Sequence, residues 1–149
     1  SKFFSDKIKL NCIVSTLELI KILTVEGQEN VKIYKLLDDL FILLNKENWL
    51  YEYIFLELNL LKFIGFDLNI KDYCKHEIVD SNKRYYIENS QKKMIVPNFL
   101  IEGHKANKIF NKDIYNSLIL ISEYMKKNIF TPNNINFPIS RKIFINQFK

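Results

Sequence analysis

The sequence predicts a mainly α-helical bundle with a small β-hairpin insertion, forming a single domain over residues 1–149. Two observations support this fold class. Apolar residues recur every three or four positions over several long segments, which is the helical period. The chain also has only 3 Gly and 3 Pro among 149 residues, whereas an all-β chain needs turn-forming residues every few positions. A chain of this length can bury one substantial core, and no linker-like segment divides it.

Three amphipathic helices are predicted in the first half of the chain. Asp6 is expected to cap the first, which runs to about residue 24, and Asn30 the second. Asn48 is expected to cap the third, which runs from residue 49 to 64 and ends at Gly65. The apolar stripe of the first helix comprises Leu10, Ile13, Val14, Leu17, Ile20 and Leu23, and that of the second comprises Ile33, Leu36, Leu37, Leu40, Phe41 and Leu44.

The middle of the chain loses the helical period and is predicted to hold a β-hairpin at about residues 84–96. Residues 85–88 and 93–96 are short β-prone runs, and four residues lie between them, as in a hairpin with a four-residue loop. Residues 97–110 are expected to form a loop or a short helix.

Two further helices are predicted in the C-terminal part. Asn111 is expected to cap a fourth long helix, and Ser140 a short last helix after a loop rich in Pro and Asn. The apolar positions of these two helices are Ile114, Leu118, Ile121 and Met125 in the fourth, and Ile143, Phe144 and Phe148 in the last.

Basic residues are concentrated in the second half of the chain. Residues 1–70 hold 8 basic and 10 acidic residues, a net charge of −2, whereas residues 71–149 hold 14 basic and 7 acidic residues, a net charge of +7. Such a surface can attract phosphates or an acidic peptide. The chain has 20 Lys against 2 Arg, so part of the excess can also reflect AT-rich coding and a solvated lysine face.

Motifs for metal binding and catalysis are weak. Cys74 and His76 form a Cys-x-His pair, but Cys12 and His104 are predicted in distant elements, so no metal site is expected. Cys12 flanks the stripe of the first helix and is expected in the core. The chain has no nucleophile elbow, phosphate-binding glycine loop or His-Glu-x-x-His motif, so no enzyme activity is expected.

With two Cys, no signal peptide and no membrane span, a cytoplasmic location is the simplest interpretation.

Glu57 is the most informative acidic residue, because it lies in the middle of the apolar stripe of the third helix. A buried carboxylate needs a cationic or hydrogen-bonding partner. Arginine suits a planar, bidentate contact best, and Arg141 at the start of the last helix is one of only two. The sequence therefore predicts a structural ion pair between Glu57 and Arg141. A catalytic glutamate, as in an unrecognised hydrolase, is the alternative.

Three segments resemble the bacterial recombination mediator family RecO. Residues 55–66 resemble its Phe-Glu-Leu…Leu-Leu…Gly-Tyr/Phe segment, residues 85–96 its central hairpin, and residues 138–144 its C-terminal Ser-Arg-x-x-Phe motif. The segments occur in the family's order and at suitable spacing, and they span most of the chain. The chain therefore resembles the helical C-terminal domain of this family.

The resemblance implies a bacterial, nucleoid-associated protein of recombinational DNA repair with no active site in the usual sense. Members bind single- and double-stranded DNA, anneal complementary strands and bind the acidic tail of single-stranded DNA-binding protein. With the partner RecR they help to load the recombinase RecA. The family's N-terminal OB-fold domain has no counterpart in this chain. Many members carry a four-Cys zinc site near the hairpin, but Cys74 alone matches a ligand position here, so no zinc or other cofactor is expected.

The residues expected to contact DNA or the acidic tail are basic and lie in the C-terminal half: Lys83, Arg84, Lys92, Lys93, Lys126, Lys127 and Lys142. A receptor for a tail that is acidic and ends in an apolar residue should combine an apolar pocket with lysine or arginine at its rim. The alternative function is a helical protein-interaction domain without DNA affinity, in which the lysine excess is compositional.

Overall fold

A computed structural model describes residues 2–24, 31–103 and 109–149, with side chains from residue 5 onward. These ranges form seven α-helices, a π-helical turn and a three-stranded antiparallel sheet, which confirms the predicted mainly α fold class. The helices are α1 (Lys2–Leu23), α2 (Val31–Leu43), α3 (Trp49–Phe63), α4 (Ile70–Tyr73), α5 (Phe99–Glu102), α6 (Asn111–Met125) and α7 (Ile139–Asn146), and the π-helical turn is Lys126–Phe130. The strands are β1 (Lys75–Val79), β2 (Asn82–Glu88) and β3 (Lys93–Val96).

The bundle is built around α3 and α6, which pack against each other. The last helix, α7, packs along α1 and also contacts α6, while α2 packs against α3 and the strand β3 packs against α6. Side chains with no exposed surface, such as Tyr53, Ile54, Leu118 and Phe144, form the centre of the core. In the described part of the chain, no helix is both long and apolar enough to cross a membrane.

Gly65 ends α3 as predicted, because it adopts the left-handed conformation that follows a helix, with φ +89°. The Phe66 amide donates to the carbonyl of Leu61 at 2.9 Å, and the Gly65 amide donates to that of Lys62 at 3.2 Å. These are the two hydrogen bonds of a Schellman motif. Asn48 occupies the predicted N-cap position of α3, although its side chain makes no capping hydrogen bond.

The predicted starts of three other helices were wrong or lie outside the described residues. The first helix already begins at Lys2, so Asp6 lies within it rather than at its cap. Asn111 is the first residue of α6, and Phe110, with an extended backbone, takes the N-cap position. The predicted cap Asn30 lies outside the described residues.

Ser140 was also wrongly predicted as a cap, because α7 begins one residue earlier. Pro138 takes the N-cap position with φ −63° and an extended ψ of 132°. Proline has no amide hydrogen to leave unpaired there. The Ser140 hydroxyl instead donates to the carboxylate of Glu18, which links α7 to α1.

The predicted apolar stripe of α1 does not coincide with its buried face. Leu10, Val14 and Leu17 are exposed, whereas Cys12 and Thr16 are fully buried. The helix is apolar over much of its circumference, so its periodicity alone does not choose a face. The buried side carries small and hydroxyl side chains, and its Thr16 contacts Tyr53 of α3. Cys12 lies in the core, as predicted, while two other predicted core residues, Phe41 and Ile143, are exposed.

The predicted hairpin is the β2–β3 pair, in which Tyr85 lies opposite Val96 and Glu88 opposite Lys93. A third strand, β1, was not predicted and pairs antiparallel with β2. Asp80 and Ser81 form a two-residue turn between them with positive φ values of 50° and 67°. Positive φ at both positions is typical of a type I′ turn, whose twist matches the paired strands.

Candidate functional site

The structure brings Glu57 of α3 and Arg141 of α7 together as a bidentate ion pair. Arg141 Nη1 donates to Glu57 Oε2 at 2.7 Å, and Nη2 donates to Oε1 at 2.8 Å. The two side chains are 1% and 0% exposed. Burial would lower the pKa of the Arg141 guanidinium, but the charge and hydrogen bonds of Glu57 raise it above its ordinary value. Arg141 is therefore charged within the core.

Polar groups from α1, α3 and α6 complete this buried pair. Arg141 Nε donates to the Ser122 hydroxyl at 2.8 Å. The Tyr53 hydroxyl donates to the Glu57 carboxylate and also lies 2.9 Å from the hydroxyl of Thr16. Burial, and then the charge of Glu57, raise the pKa of Tyr53 well above its ordinary value. The network thus joins four helices through groups that have no access to water.

This geometry gives Glu57 a structural role. A catalytic carboxylate must reach a substrate, whereas both oxygens of Glu57 are taken up by Arg141 and Tyr53 and the residue is buried. The exposed position in a polar cleft that would have supported a hydrolase is therefore not observed for this residue. The adjacent acids Asp38 and Asp39 are both exposed on α2.

The seven basic residues predicted as contacts fall into two groups on the surface. One group lies around the end of α6 and the start of α7 and comprises Lys92, Lys126, Lys127 and Lys142. The other lies on the sheet and comprises Lys83, Arg84 and Lys93. Lys92 and Lys127 of the first group line a cavity, whereas no member of the second group lines it, so the two groups offer different surfaces.

Glu123 organises the first group. Its carboxylate accepts a hydrogen bond from Lys92 Nζ at 3.0 Å and lies 3.7 Å from Lys126 Nζ. The hydrogen bond from Lys92 is the main reason that the pKa of Glu123 is lowered. Lys126 also lies over the ring of Phe137, at 4.5 Å from its centroid, and Lys142 lies 5.9 Å from the same centroid. These contacts place Lys92 and Lys126 beside one carboxylate, and Lys126 and Lys142 beside one aromatic ring.

A cavity of about 750 Å³ opens between the hairpin loop, α4, α6 and the π-helical turn. Its apolar lining is formed by Leu68, Ile87, Met94 and Leu120. Its polar lining includes Asn89, Ser90, Gln91, Asn128, Lys92, Lys127, Asp67 and Glu123, and two tyrosines, Tyr73 and Tyr124, complete it. The site thus combines an apolar floor with a mixed rim that carries lysines.

The π-helical turn places part of this rim. It follows α6 without a break, and its wider turn shifts Lys127 and Asn128 relative to a regular helix. The side-chain amide of Asn128 donates to the backbone carbonyl of Tyr124 at 2.9 Å, which links the turn to the end of α6. Turns of this kind are frequent at functional sites. The sequence gives no periodic signal for such a turn, so it was not predicted.

In the second group of basic residues, Lys93 is engaged within the sheet. Lys93 bridges to Glu77 at 3.0 Å and lies 4.1 Å from the centroid of the Tyr86 ring. The hydrogen bond that Lys93 donates to Glu77 is the main reason that the pKa of Lys93 is raised. Arg84 lies directly opposite Glu77 in the strand register, and Lys83 is exposed beside it. Lys93 therefore stabilises the sheet, and Arg84 and Lys83 present charge to solvent.

Potential metal ligands do not gather in residues 2–24, 31–103 or 109–149, where no group of three His, Cys, Asp or Glu side chains comes together. Cys74 is a half-buried free thiol whose Sγ lies 3.9 Å from the carbonyl of Lys71. His76 stacks edge-on with Tyr85, at 6.2 Å between centroids. His104 lies outside the described residues. The described residues therefore do not fit a four-cysteine zinc site.

The fold and these surfaces define a helical domain with a small antiparallel sheet, stabilised by a buried ion pair and carrying lysines around an open cavity. Residues 5–140 match the family described as Recombination protein O C terminal. The match covers most of the chain, so the chain belongs to this family, and the resemblance seen in the sequence is confirmed. Membership supports a role in DNA repair and recombination. Comparisons with curated proteins and with solved structures gave no match.

Proposed function

We propose that this domain serves a recombination mediator by binding DNA and the acidic tail of single-stranded DNA-binding protein. In this role it supports strand annealing and, with RecR, the loading of RecA, and it acts as a binding domain without enzyme activity. One observation carries the proposal: lysines from the hairpin loop and the π-helical turn line a cavity with an apolar floor. An acidic peptide with an apolar end needs this combination.

Lys127 is the lysine of choice for testing the cavity. It is exposed, it lines the cavity, and it stands apart from the ion pairs of Lys92 and Lys126. A charge reversal there changes the rim without removing a bridge between elements. The matched control is Lys7→Glu, which makes the same change in net charge at an exposed position of α1.

The experiment titrates labelled single-stranded DNA and a labelled acidic-tail peptide with each variant, at several salt concentrations. Lys127→Glu is expected to weaken the binding of both ligands by about tenfold. For DNA it should also reduce the slope of log affinity against log salt concentration by about one unit. Lys7→Glu should leave the peptide unaffected. If neither ligand binds the unmodified protein at low salt, or if both variants behave alike, the proposed function is wrong.

A protein-interaction domain without DNA affinity is the second candidate, and one observation favours it. Lys92, Lys93 and Lys126 already contact carboxylates of this chain, which leaves less positive charge for phosphates. In that case the peptide binds and single-stranded DNA does not, even at low salt. The same titration distinguishes the two candidates.

A further inference from the structure

The groove between α2 and α3 lies in the acidic half of the chain, which the proposed function does not use. It has a volume of about 710 Å³ and an apolar floor formed by Leu36, Leu43 and Leu56. A smaller cavity of about 310 Å³ shares Lys46, Glu52 and Phe55 with it and continues it past the α2–α3 loop. The groove therefore extends along the length of both helices.

The α3 wall of the groove is aromatic. Phe55 and Phe63 both line it, and they remain 38% and 43% exposed although both are large apolar side chains. They are eight residues apart on one helix, which separates them by about 12 Å along its axis. Phe55 also packs edge-on against Phe99, at 5.9 Å between ring centroids, so this ring is held in place. Ile42 faces the groove from α2 and is 61% exposed.

The α2 wall of the groove is basic. Lys32, Lys35 and Lys46 line this side together with one acid, Asp39. Lys32 lies over the Phe63 ring at 5.5 Å, and Lys46 is bridged to Glu52 at 3.1 Å. Glu52 and Glu47 line the other end of the groove, so the excess of lysine is confined to the end at Lys32 and Lys35.

We propose that this groove docks an amphipathic helix of a partner protein, with acidic residues on the flank that faces α2. Apolar side chains of such a helix, spaced i and i+7, lie about 10.5 Å apart, which is close to the spacing of about 12 Å between the two phenylalanines. The acidic flank meets Lys32 and Lys35 at the end of the groove beside Phe63. A helix with a basic flank would place like charges together.

The probe for this proposal is a fluorescein-labelled synthetic helix of about 18 residues, with leucines on one face and glutamates on one flank. Fluorescence anisotropy should show that Phe55→Ala and Phe63→Ala each weaken its binding by about tenfold. Lys35→Glu should weaken it by about fivefold. The controls are Phe41→Ala and Lys21→Glu, which alter exposed residues outside the groove lining.

Thermal melting of each variant checks that the fold is kept, and an amide chemical-shift map places the probe on the protein. Four outcomes would overturn the proposal. Two concern specificity: a peptide with lysines in place of the glutamates would bind equally well, or Phe41→Ala would weaken binding as much as Phe55→Ala. In the third, the free protein would sediment as a dimer that Phe55→Ala dissociates, which would show that a second copy occupies the groove. In the fourth, single-stranded DNA would displace the peptide from the groove, which would show that the occupant is a nucleic acid.

Discussion

Arg141 and Glu57 are 84 residues apart in the chain and are joined in the core by two hydrogen bonds of 2.7 and 2.8 Å. The pair connects the last helix to the central helix α3, and Ser122 of α6 accepts a third hydrogen bond from the same guanidinium. Such a pair contributes less net stability than its geometry implies, because both charges lose their hydration. Its larger effect is on how the helices pack. Either charge buried without its partner would strongly destabilise the fold, so α3 and α7 must pack in the one register that joins the two side chains.

Replacing the arginine alone should therefore strongly destabilise the fold. Arg141→Met keeps most of the side-chain volume but leaves the Glu57 carboxylate buried without its cation, at a cost of about 3–5 kcal/mol in the free energy of unfolding. Urea denaturation followed by circular dichroism measures this cost. The exposed neighbour provides the control, since Lys142→Met should change stability by less than about 0.5 kcal/mol.

The double variant separates the loss of the pair from the burial of one charge. Glu57→Leu combined with Arg141→Met should recover most of the stability, because no uncompensated charge remains. A double variant as unstable as Arg141→Met alone would contradict this account of the network.

Alkaline pH should weaken the same network before the arginine titrates. Burial is the main cause that raises the pKa of Cys12 and Tyr53 well above their ordinary values of 9.0 and 10.0. The unfolded chain then releases these protons first, so the contribution of these two groups to stability is constant below about pH 9 and falls as the pH rises beyond it. Denaturation midpoints measured between pH 7 and pH 11 test this. In Tyr53→Phe, stability should fall less steeply with pH above pH 10. If the slope of stability against pH were unchanged in that variant, Tyr53 would not be the cause of the fall.

The pair was predictable because a carboxylate on an apolar stripe requires a partner and the chain has few arginines. The buried face of α1 could not be predicted, since this helix is apolar on more than one side and its face is selected by packing against α7 and Tyr53 of α3. Strand β1 was missed because its residues are mostly exposed and it is stabilised by pairing with β2 rather than by an apolar pattern.

The cavity could not be predicted from the sequence for a different reason. Its lining comes from the hairpin loop, α4, α6 and the π-helical turn, which are distant in the chain. The basic residues could be named from charge alone. Their division into two groups depends on Glu123 and Glu77, whose partners the sequence does not specify.

Substitution of Gly65 should reveal the conformational requirement at the end of α3. A Cβ atom there would have no heavy atom within 4 Å, so a clash contributes nothing. Gly65→Ala should still cost about 1 kcal/mol, because alanine disfavours φ +89°. Thermal denaturation measures the cost. Gly65→Asn is the matched comparison and should cost less, since asparagine tolerates the left-handed region better. Equal stability of all three proteins would contradict the Schellman geometry.

The sheet should be stable without a metal ion. Its strands are joined by the Lys93–Glu77 bridge and by Lys93 above the Tyr86 ring, and Cys74 is a free thiol. A chelator should therefore leave the melting temperature unchanged, and Cys74→Ser should have a small effect. Glu77→Gln should lower stability by up to about 1 kcal/mol, because its ion pair is exposed. If the chelator lowered the melting temperature of the unmodified protein but not that of Cys74→Ser, the result would instead indicate a bound metal.

Removing the carboxylate of Glu123 should strengthen the binding of anionic ligands. Glu123 holds Lys92 at 3.0 Å and Lys126 at 3.7 Å, so Glu123→Gln releases both ammonium groups for anionic ligands. Affinity for single-stranded DNA should rise about tenfold, with a steeper dependence on salt, since up to two more phosphates can be neutralised. Anisotropy titrations at several salt concentrations measure this, with Glu52→Gln as the control at another exposed lysine bridge. Weaker binding by Glu123→Gln would show that Glu123 positions the lysines rather than competing for them.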